Sequence, residues 1–529
     1  MYGKIGSLFT GLVAASALLV PAGVPSPATS LPFSPAPSPA TESARAPAPA
    51  SPPPTPSLSA SASASPETAS PTKRLEWKAC AGENLPEGIR CATVTVPVDW
   101  RKPRGRRLTL DLARLPATEP ANRIGSVLQI PGGPGNEGVE DLKRSAPGLT
   151  ELRRRFDLVG YNPRNTGLRE RLPAVCWEMG TQLLEPRDRE EYRAQVAKVK
   201  AAARECRDAD SSGLFDNLDS LSVARDMEAV RVALGERRLS FMANSYGGVP
   251  VAAYARLFPE RIRAMYLDGT VDQVNGWAKV HLDHAAVGER TFGRFVAWCA
   301  ADSACALHGE DVGAVWRALV EKLDRSPIPI SSPEFGEGKL AGWHLKLIGF
   351  QANPGPDNAW WVAFSTSVDK LRNGDASGFA EFVNGNSRIW ATPALRAMTC
   401  PDDRGFTGYA QFRDVSRRMR EASPHLGAAP FDMLACSGWP RPVANPSRPL
   451  PVRGLPPFLG AGTWTDHTMT ASLAGTVPGS VTVQYDGPGH VLYMPGNNGP
   501  ASRCVIGHAT RYLVDLTLPA PGTVCRPGE

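Results

Sequence analysis

Short apolar segments that alternate with helical patterns constrain the fold of this 529-residue chain more than any other feature. Four such segments are bounded by turn residues: Ser126–Ile130, Phe156–Gly160, Leu239–Ala243 and Ala264–Leu267. Their length and composition are typical of strands buried on both faces. Strands that alternate with helices predict βαβ units, a mostly parallel sheet and right-handed connections.

Helical patterns separate these segments. The first has apolar residues three or four positions apart, at Val223, Met227, Val230 and Leu234. Ser222 is the predicted N-cap of this helix, and Gly235 is its stop signal. An Ala-rich helix is predicted over Val249–Leu257, and the alternating residues of Leu108–Ala113 predict a half-buried strand.

A long insertion interrupts this rhythm between about residues 275 and 445. Its amphipathic stretches are Val312–Leu323 and Trp360–Leu371. Short apolar runs resume after it, at Pro457–Gly460 and Val481–Tyr485. We therefore predict an α/β core in two parts, 73–274 and 446–529, with a mainly helical cap over 275–445.

The N-terminal residues are predicted to serve export. Lys4 precedes an apolar run, Leu8–Val20, and small residues follow it, which predicts a signal peptide over 1–23. An uncleaved N-terminal anchor is the alternative, although the run is short for a membrane span. Pro, Ala and Ser make up 39 of the 52 residues from 21 to 72, so we predict a disordered spacer over 24–72.

All ten cysteines lie after Thr72, and an exported chain meets an oxidising environment, so we expect disulfides. Connectivity does not follow from spacing. The simplest assignment joins neighbours: Cys80–Cys91, Cys176–Cys206, Cys299–Cys305, Cys400–Cys436 and Cys504–Cys525. The Cys and His spacing fits no zinc site, and a net charge of +6 is too small and dispersed to indicate nucleic-acid binding.

The clearest chemical motif is Ala243-Asn-Ser245-Tyr-Gly247, at the junction of a predicted strand and helix. It has the spacing of a nucleophile elbow, with Ala at the first small position. The turn is tight, so its flanking residues must be small, and Ser245 then projects above the carboxyl edge of the sheet. A chance small-x-Ser-x-Gly match is the alternative.

A serine nucleophile needs a base held by a third group, and in α/β-hydrolases the chain order is Ser, acid, His. His490 follows a Gly-rich loop after a predicted strand, which favours it as the base. His467 and His508 also lie in the C-terminal part and remain competitors. His281 and His284 begin the insertion and are predicted to be surface or lid residues.

Asp466 follows the apolar run at Pro457–Leu459 and is the predicted acid, whereas Asp486 is expected to shape the turn before His490. Ser245 would attack, His490 would carry the proton and Asp466 would orient the imidazole. Gly132-Gly-Pro-Gly135 follows a strand, where glycine permits close backbone approach. The N–H groups of Gly133 and Tyr246 are therefore the predicted oxyanion hole, with an ordinary tight turn as the alternative.

The chain resembles the secreted actinobacterial tripeptidyl aminopeptidases, which are α/β-hydrolases related to prolyl iminopeptidases. The resemblance runs from about Cys80 to Cys525 and is carried by these segments: Val96-Pro-Val-Asp-Trp100, Gly132–Gly135, Phe156–Gly160, Pro163-Arg164, Gly167, Ser245-Tyr-Gly247, Leu267-Asp-Gly269, Cys400-Pro-Asp402, Cys436, Trp439-Pro440, Asp466 and Gly489-His490. It implies a cofactor-independent serine exopeptidase that releases short N-terminal peptides, with the same three catalytic residues.

Three departures from that family bear on the substrate. The chain has Ala243 where the family usually has Gly, lacks the Thr-Pro that usually follows the Asp, and reads Asn162-Pro-Arg-Asn165 where the family tends toward Asp-Pro-Arg-Gly. An esterase or amidase of small molecules with the same triad is one alternative function, and a non-catalytic surface-binding protein is another. We expect a secreted protein that acts on a peptide or small molecule, without a metal or cofactor.

Overall fold

The computed structural model describes residues 75–167, 169, 171–178, 185–333, 336–350, 359–383, 392–402, 405–427, 434–493 and 501–529. The predicted signal peptide and spacer lie outside the described residues. Among the described residues, the helices are too short or too polar to cross a membrane.

Twelve strands are present in the described part of the chain. They are β1 Lys78–Ala79, β2 Arg90–Pro97, β3 Arg107–Leu115, β4 Gly125–Ile130, β5 Phe156–Tyr161, β6 Leu239–Asn244, β7 Ile262–Asp268, β8 Ile328–Ser332, β9 Gly336–Leu340, β10 Leu459–Gly462, β11 Val481–Tyr485 and β12 Val524–Cys525. Every residue of β4, β5 and β6 is buried, as their apolar sequences predict.

The α-helices described alternate with these strands. They are α1 Gly138–Ser145, α2 Thr150–Arg155, α3 Arg189–Ala209, α4 Ser220–Leu234, α5 Gly248–Leu257, α6 Trp277–Ala301, α7 Val312–Arg325, α8 Gly342–Phe350, α9 Ala359–Arg372, α10 Pro393–Thr399, α11 Tyr409–Ala422, α12 His467–Ala474 and α13 Arg503–Asp515. The predicted N-cap of α4 is wrong: Asp219 caps the helix and accepts the N–H of Ser222, while Gly235 ends it at φ +74°.

Ten strands form one sheet in the order β1-β2-β3-β5-β4-β6-β7-β10-β11-β12. The seven strands from β5 to β12 in this order are parallel, and β1, β2 and β3 extend the sheet by antiparallel pairing. Helices α1, α2 and α13 cover one face, and α4, α5 and α12 cover the other. The predicted mostly parallel α/β architecture is confirmed.

The carboxyl ends of β6, β7 and β10 lie side by side. Asn244 pairs with Asp268, and Asp268 pairs with Ala461 on its other side. Loops that leave these three strands therefore begin at the same edge of the sheet, which is where ligands bind in open α/β sheets. The elbow and the loop of Asp466 both begin there.

The residues between β7 and β10 contain helices α6–α11 and the β8–β9 hairpin, which forms its own two-stranded sheet. Their largest apolar cluster is aromatic and includes Phe292, Phe295, Trp316 and Phe364. A smaller cluster joins α6 and α11 to Tyr192 of α3. Helix α3 precedes position 275, yet it packs against α10 and α11.

The Pro163-Arg164 motif lies in the loop after β5, and its Arg164 is buried in the core. Arg164 is 2% exposed and forms a two-pronged ion pair with Asp226 of α4, with both N···O distances 2.7 Å. Asn165 has φ +67°, a left-handed conformation that Asn adopts more readily than most residues. The departure from Gly at this position therefore preserves the turn.

Candidate active site

Ser245 lies at a strained turn between β6 and α5. Its φ is +52°, a left-handed conformation that is uncommon for a residue other than Gly. The 3-10 turn Ser245–Gly247 follows at once and leads into α5. A strained strand-to-helix turn is the geometry of a nucleophile elbow, and such strain concentrates at functional sites.

The small residues around Ser245 have a steric cause. A Cβ on Gly247 would lie 2.7 Å from the carbonyl oxygen of Ile130 and 2.8 Å from that of Pro131, so only Gly fits there. Ala243, on the other side of the serine, is fully buried within β6. The spacing of the elbow thus follows from the close approach of β4 and its loop.

Asp466 and His490 form a hydrogen-bonded pair. Oδ2 of Asp466 lies 2.6 Å from Nδ1 of His490, and Asp466 is 3% exposed. The other carboxylate oxygen accepts the backbone N–H of Thr463 at 2.6 Å, which holds the carboxylate in place. Because Nδ1 is occupied, Nε2 of His490 is the nitrogen that remains for a nucleophile or leaving group.

The imidazole of His490 is poised to hold a proton. Burial lowers its pKa, but the hydrogen bond and charge of Asp466, together with the charge of Asp268, outweigh burial and raise the pKa above its ordinary value. The side chain is still 40% exposed, so one edge of the ring is open. A partly open imidazole held by a buried carboxylate can act as a general base.

Gly269 joins this pair to the elbow. It follows β7 at φ +59°, and a Cβ there would lie 2.7 Å from Oδ2 of Asp466 and 3.2 Å from Cε1 of His490. Asn244 and Asp268 are register partners at the ends of β6 and β7, so Ser245 and Gly269 begin the loops that leave two adjacent strands. The acid–base pair therefore lies against the first residue of the loop next to that of Ser245.

The glycine-rich loop after β4 lies against the same serine. A Cβ on Gly132 would be 2.9 Å from Cβ of Ser245 and 3.5 Å from its Oγ, so glycine is required there. Gly133 has φ +106°, which favours glycine as well. The glycine-rich loop therefore lies against Ser245 at the carboxyl edge of the sheet, where the oxyanion hole is predicted.

Sequence reasoning assigned no role to Asp402, although Cys400-Pro-Asp402 contributed to the family resemblance. Asp402 is fully buried and accepts the backbone N–H of Ser220 at 3.1 Å and the Ser220 hydroxyl. The Tyr246 hydroxyl donates to it at 3.3 Å and to the carbonyl oxygen of Met398 at 2.8 Å. Burial is the main cause that raises the pKa of Asp402 to about 7.

His281 and His284, predicted to be surface or lid residues, lie on α6 within the predicted insertion, and both are half-buried. Burial lowers the pKa of His281 to about 4. Burial also lowers the pKa of His284 to about 3, with a smaller effect from His281; His284 interacts electrostatically with Asp466 and His490. Helix α6 of the predicted cap therefore brings the neutral imidazole of His284 within electrostatic range of the Asp466–His490 pair.

The competing histidines lie elsewhere. Nε2 of His467 is 3.2 Å from the Thr482 hydroxyl on β11. His508 lies on α13 beside Cys504 and Cys525, and these three are a cluster of metal-ligand types in the described part. Both cysteines of that cluster are joined in a disulfide, so their sulfur atoms are not available as thiolate ligands.

The ten cysteines form five disulfides, and the pairs are those of the nearest-neighbour assignment: Cys80–Cys91, Cys176–Cys206, Cys299–Cys305, Cys400–Cys436 and Cys504–Cys525. Bridges of this kind persist in oxidising environments. One bridge joins Cys400, two residues before Asp402, to Cys436. It fixes the segment that carries this carboxylate.

Two family models match the chain. Residues 125–342 match the alpha/beta hydrolase fold, and residues 423–525 match a family described as TAP-like protein. The first match includes the elbow, and the second includes Asp466 and His490.

Known proteins of similar sequence support the same assignment. The chain is 28% identical over 490 residues to the serine protease Hip1 of Mycobacterium tuberculosis, across 85% of this chain and 91% of Hip1. It is 28% identical over 415 residues to the tripeptidyl aminopeptidase of Streptomyces lividans, across 73% and 74%. A carboxylesterase B of Mycobacterium tuberculosis is 28% identical over 495 residues, across 85% and 90%. The chain is therefore a hydrolase of the α/β-hydrolase fold, with a C-terminal part that is similar to the TAP-like family.

Proposed function

We propose that this hydrolase is an exported serine exopeptidase that removes short peptides, such as tripeptides, from free N-termini. Ser245 is the nucleophile, His490 the base and Asp466 the orienting acid. The observation that carries the proposal is the 2.6 Å Asp466–His490 pair, which lies against Gly269, at the end of the strand next to the one that leads to the strained Ser245. Helix and strand order agree with it, because the three residues follow β6, β10 and β11.

The proposed reaction is acyl transfer through an ester of Ser245. The Ser245 oxygen attacks the substrate carbonyl carbon while Nε2 of His490 takes the hydroxyl proton. The N–H groups of Gly133 and Tyr246 stabilise the resulting oxyanion. The C–N bond breaks, the amine leaves with the proton from His490, and a water deprotonated by His490 then hydrolyses the ester.

The preference for peptides rests on the relatives named as a serine protease and a tripeptidyl aminopeptidase. An exopeptidase must also recognise the free α-amino group of its substrate. An esterase or amidase function is the second candidate, favoured by the carboxylesterase B relative of equal identity. The two candidates share the triad and differ in what the cap accepts.

A substrate panel separates these candidates. Chromogenic tripeptides with free and with acetylated N-termini are compared with p-nitrophenyl esters. The enzymes are wild type, Ser245→Ala and the matched control Ser240→Ala, on the strand that precedes Ser245. The exopeptidase proposal expects turnover of free peptides, little turnover of acetylated ones, and activity lost only in Ser245→Ala. Preference for acetylated peptides, or turnover of esters alone, would contradict the proposed aminopeptidase function.

Export is supported by the five disulfides, because such bridges persist outside the reducing cytosol. The test is expression of the full chain in a secreting bacterial host, followed by N-terminal sequencing of the protein in the medium. Export predicts a mature N-terminus shortly after residue 23. A protein that stays in the cytosol with Met1 intact would contradict export.

A further inference from the structure

Asp268 is a second buried carboxylate at the same sheet edge, and the proposed triad leaves it without a role. It is the last residue of β7, it is fully buried, and its register partners are Asn244 and Ala461. It therefore lies between the strand that leads to Ser245 and the strand that leads to Asp466. A buried carboxylate is costly unless hydrogen bonds compensate it.

The hydrogen bonds of Asp268 go to the loop of His490. Its Oδ2 accepts the backbone N–H of Leu492 at 2.9 Å and that of Tyr493 at 3.0 Å, and the hydroxyl of Tyr266 donates to the same oxygen at 3.0 Å. Leu492 and Tyr493 are the second and third residues after His490. We propose that Asp268 is a positioning residue that fixes the His490 loop against the carboxyl edge of the sheet.

The conformation of that loop explains why it needs an anchor. Val491, between His490 and the two anchored N–H groups, has φ +68°, which is a strained conformation for a β-branched side chain. Such a conformation persists only where surrounding contacts over-determine it. The charge-assisted bonds from the Leu492 and Tyr493 N–H groups to Asp268 supply those contacts within one or two residues of the strain.

The charge of Asp268 also acts on His490. It raises the pKa of His490, in the same direction as the larger effect of Asp466, and so favours the imidazolium that forms during acyl transfer. Burial raises the pKa of Asp268 itself to about 6, against the bonds from Leu492 and Tyr493. The titratable groups around this pair in the described residues are Asp466, Tyr266 and, from the cap helix, His284.

This inference rests on the proposed triad, so its test uses a reaction that is independent of peptide specificity. A fluorophosphonate reacts with an activated serine, and its inactivation rate constant and half-saturation concentration are measured from pH 5 to pH 9. The variants are Asp268→Ala, Asp268→Asn and the control Asp157→Asn. Asp157 is a buried carboxylate on β5 that accepts the N–H of Ala117 at 2.8 Å, near the opposite edge of the sheet.

Displacement of a catalytic group by about 1 Å costs about a hundredfold in rate, so Asp268→Ala should lower the maximal inactivation rate about tenfold to a hundredfold. Its half-saturation concentration should change less than about threefold, because the probe contacts are unchanged. Asp268→Asn retains an acceptor oxygen, so it should recover most of the maximal inactivation rate. The acid limb of its pH–rate profile should move about 0.5 pH unit lower, because the charge is gone. Asp157→Asn should match wild type in both the maximal inactivation rate and the position of the acid limb.

Two results would overturn the inference: a wild-type maximal rate in Asp268→Ala, or an unmoved acid limb in Asp268→Asn. If Asp268→Ala shows no cooperative melting, the acid limb of Asp268→Asn decides alone. Failure of wild-type enzyme to react would overturn the triad and this inference with it. If wild-type enzyme reacts and the Asp268 variants react in the same way, only the positioning role is overturned.

Discussion

The edge of the sheet that carries the proposed triad and the interior of the predicted cap, residues 275–445, hold their side chains by different means. At the edge, backbone N–H groups fix the carboxylates, as Thr463 does for Asp466. In the cap, aromatic rings pack on one another, with Phe292 and Trp316 centroids 4.9 Å apart and those of Phe295 and Phe364 5.0 Å apart. Geometry at the edge therefore depends on strand register, and geometry in the cap depends on side-chain volume. We expect substitutions at the edge to lower the catalytic rate and substitutions in the cap to lower the free energy of unfolding.

The largest expected effect is at the edge. Asp466→Asn should lower kcat by about 10³–10⁴-fold, because an amide in place of the carboxylate favours the wrong tautomer of His490. The acid limb of the pH–rate profile should also move to lower pH, since burial then acts on His490 without the opposing charge of Asp466. The melting temperature is measured alongside, and Asp486→Asn in a neighbouring turn is the control. A kcat within tenfold of wild type would contradict the assignment of the acid.

The matching substitution in the cap is Trp316→Ala. Trp316 is 1% exposed, and its indole N–H donates to the carbonyl oxygen of His425 at 3.1 Å. Loss of such a ring costs about 3–5 kcal/mol of unfolding free energy. Urea unfolding measures this cost, and the fluorophosphonate inactivation rate of the folded variant should stay within about threefold of wild type, since the N–H groups at the edge are untouched. A large rate loss without destabilisation would show that cap packing sets catalytic geometry.

Asp402 connects the two regions, because it binds Ser220 at the start of α4 and Tyr246 next to the proposed nucleophile. Its pKa is raised by burial to about 7 in the folded protein, above the ordinary value of 3.8. The folded state then binds a proton that the unfolded state has lost, so wild-type stability should fall as pH rises from about 4 to 7. Asp402→Asn removes this titration. Between about pH 4 and 7, the free energy of unfolding of this variant should fall by about 1–3 kcal/mol less than that of wild type. If the free energy of unfolding, measured in urea, depends on pH in the same way in the two proteins, the raised pKa is refuted.

The smallest expected effect concerns the contact between α6 and the acid loop. The Arg294 guanidinium lies 4.4 Å from the ring centroid of Trp464, and the Trp464 indole N–H donates to Asp486 at 2.9 Å. Arg294→Ala should cost about 0.5–1 kcal/mol of unfolding free energy, the usual range for a cation–π pair near the surface. Arg294→Lys is the control that retains a cation. A loss above about 2 kcal/mol would indicate that α6 depends on this contact far more than its exposure suggests.

Much of the edge could be predicted from the sequence because its signals are local. The buried strands β6 and β7 stand out as apolar runs between turn residues, and the elbow needs small residues at fixed spacing. The capping error at α4 is local too: Asp219 and Ser222 are both capping residue types three positions apart, and the structure chooses the first. The alternating burial of β2 is a local signal of the same kind.

The roles of Asp268 and Asp402 could not be predicted because they depend on distant partners. Asp268 binds an N–H group 224 residues away in sequence, and Asp402 binds one 182 residues away. The packing of α3 on the cap helices has the same character, since its apolar residues do not specify their partner. Sequence periodicity predicts which face of an element is buried, and only the fold decides what covers it.

The most direct test of the triad is the mass-spectrometric location of a fluorophosphonate adduct, with its rate measured against pH in wild-type enzyme and in His490→Ala. We predict a single adduct on Ser245 in wild-type enzyme. Its rate should rise with pH through a pKa above 6.5, since the pKa of His490 is raised from that value. Labelling in His490→Ala should fall by at least about 10³-fold. An adduct on a different serine, or a wild-type rate in His490→Ala, would contradict the account.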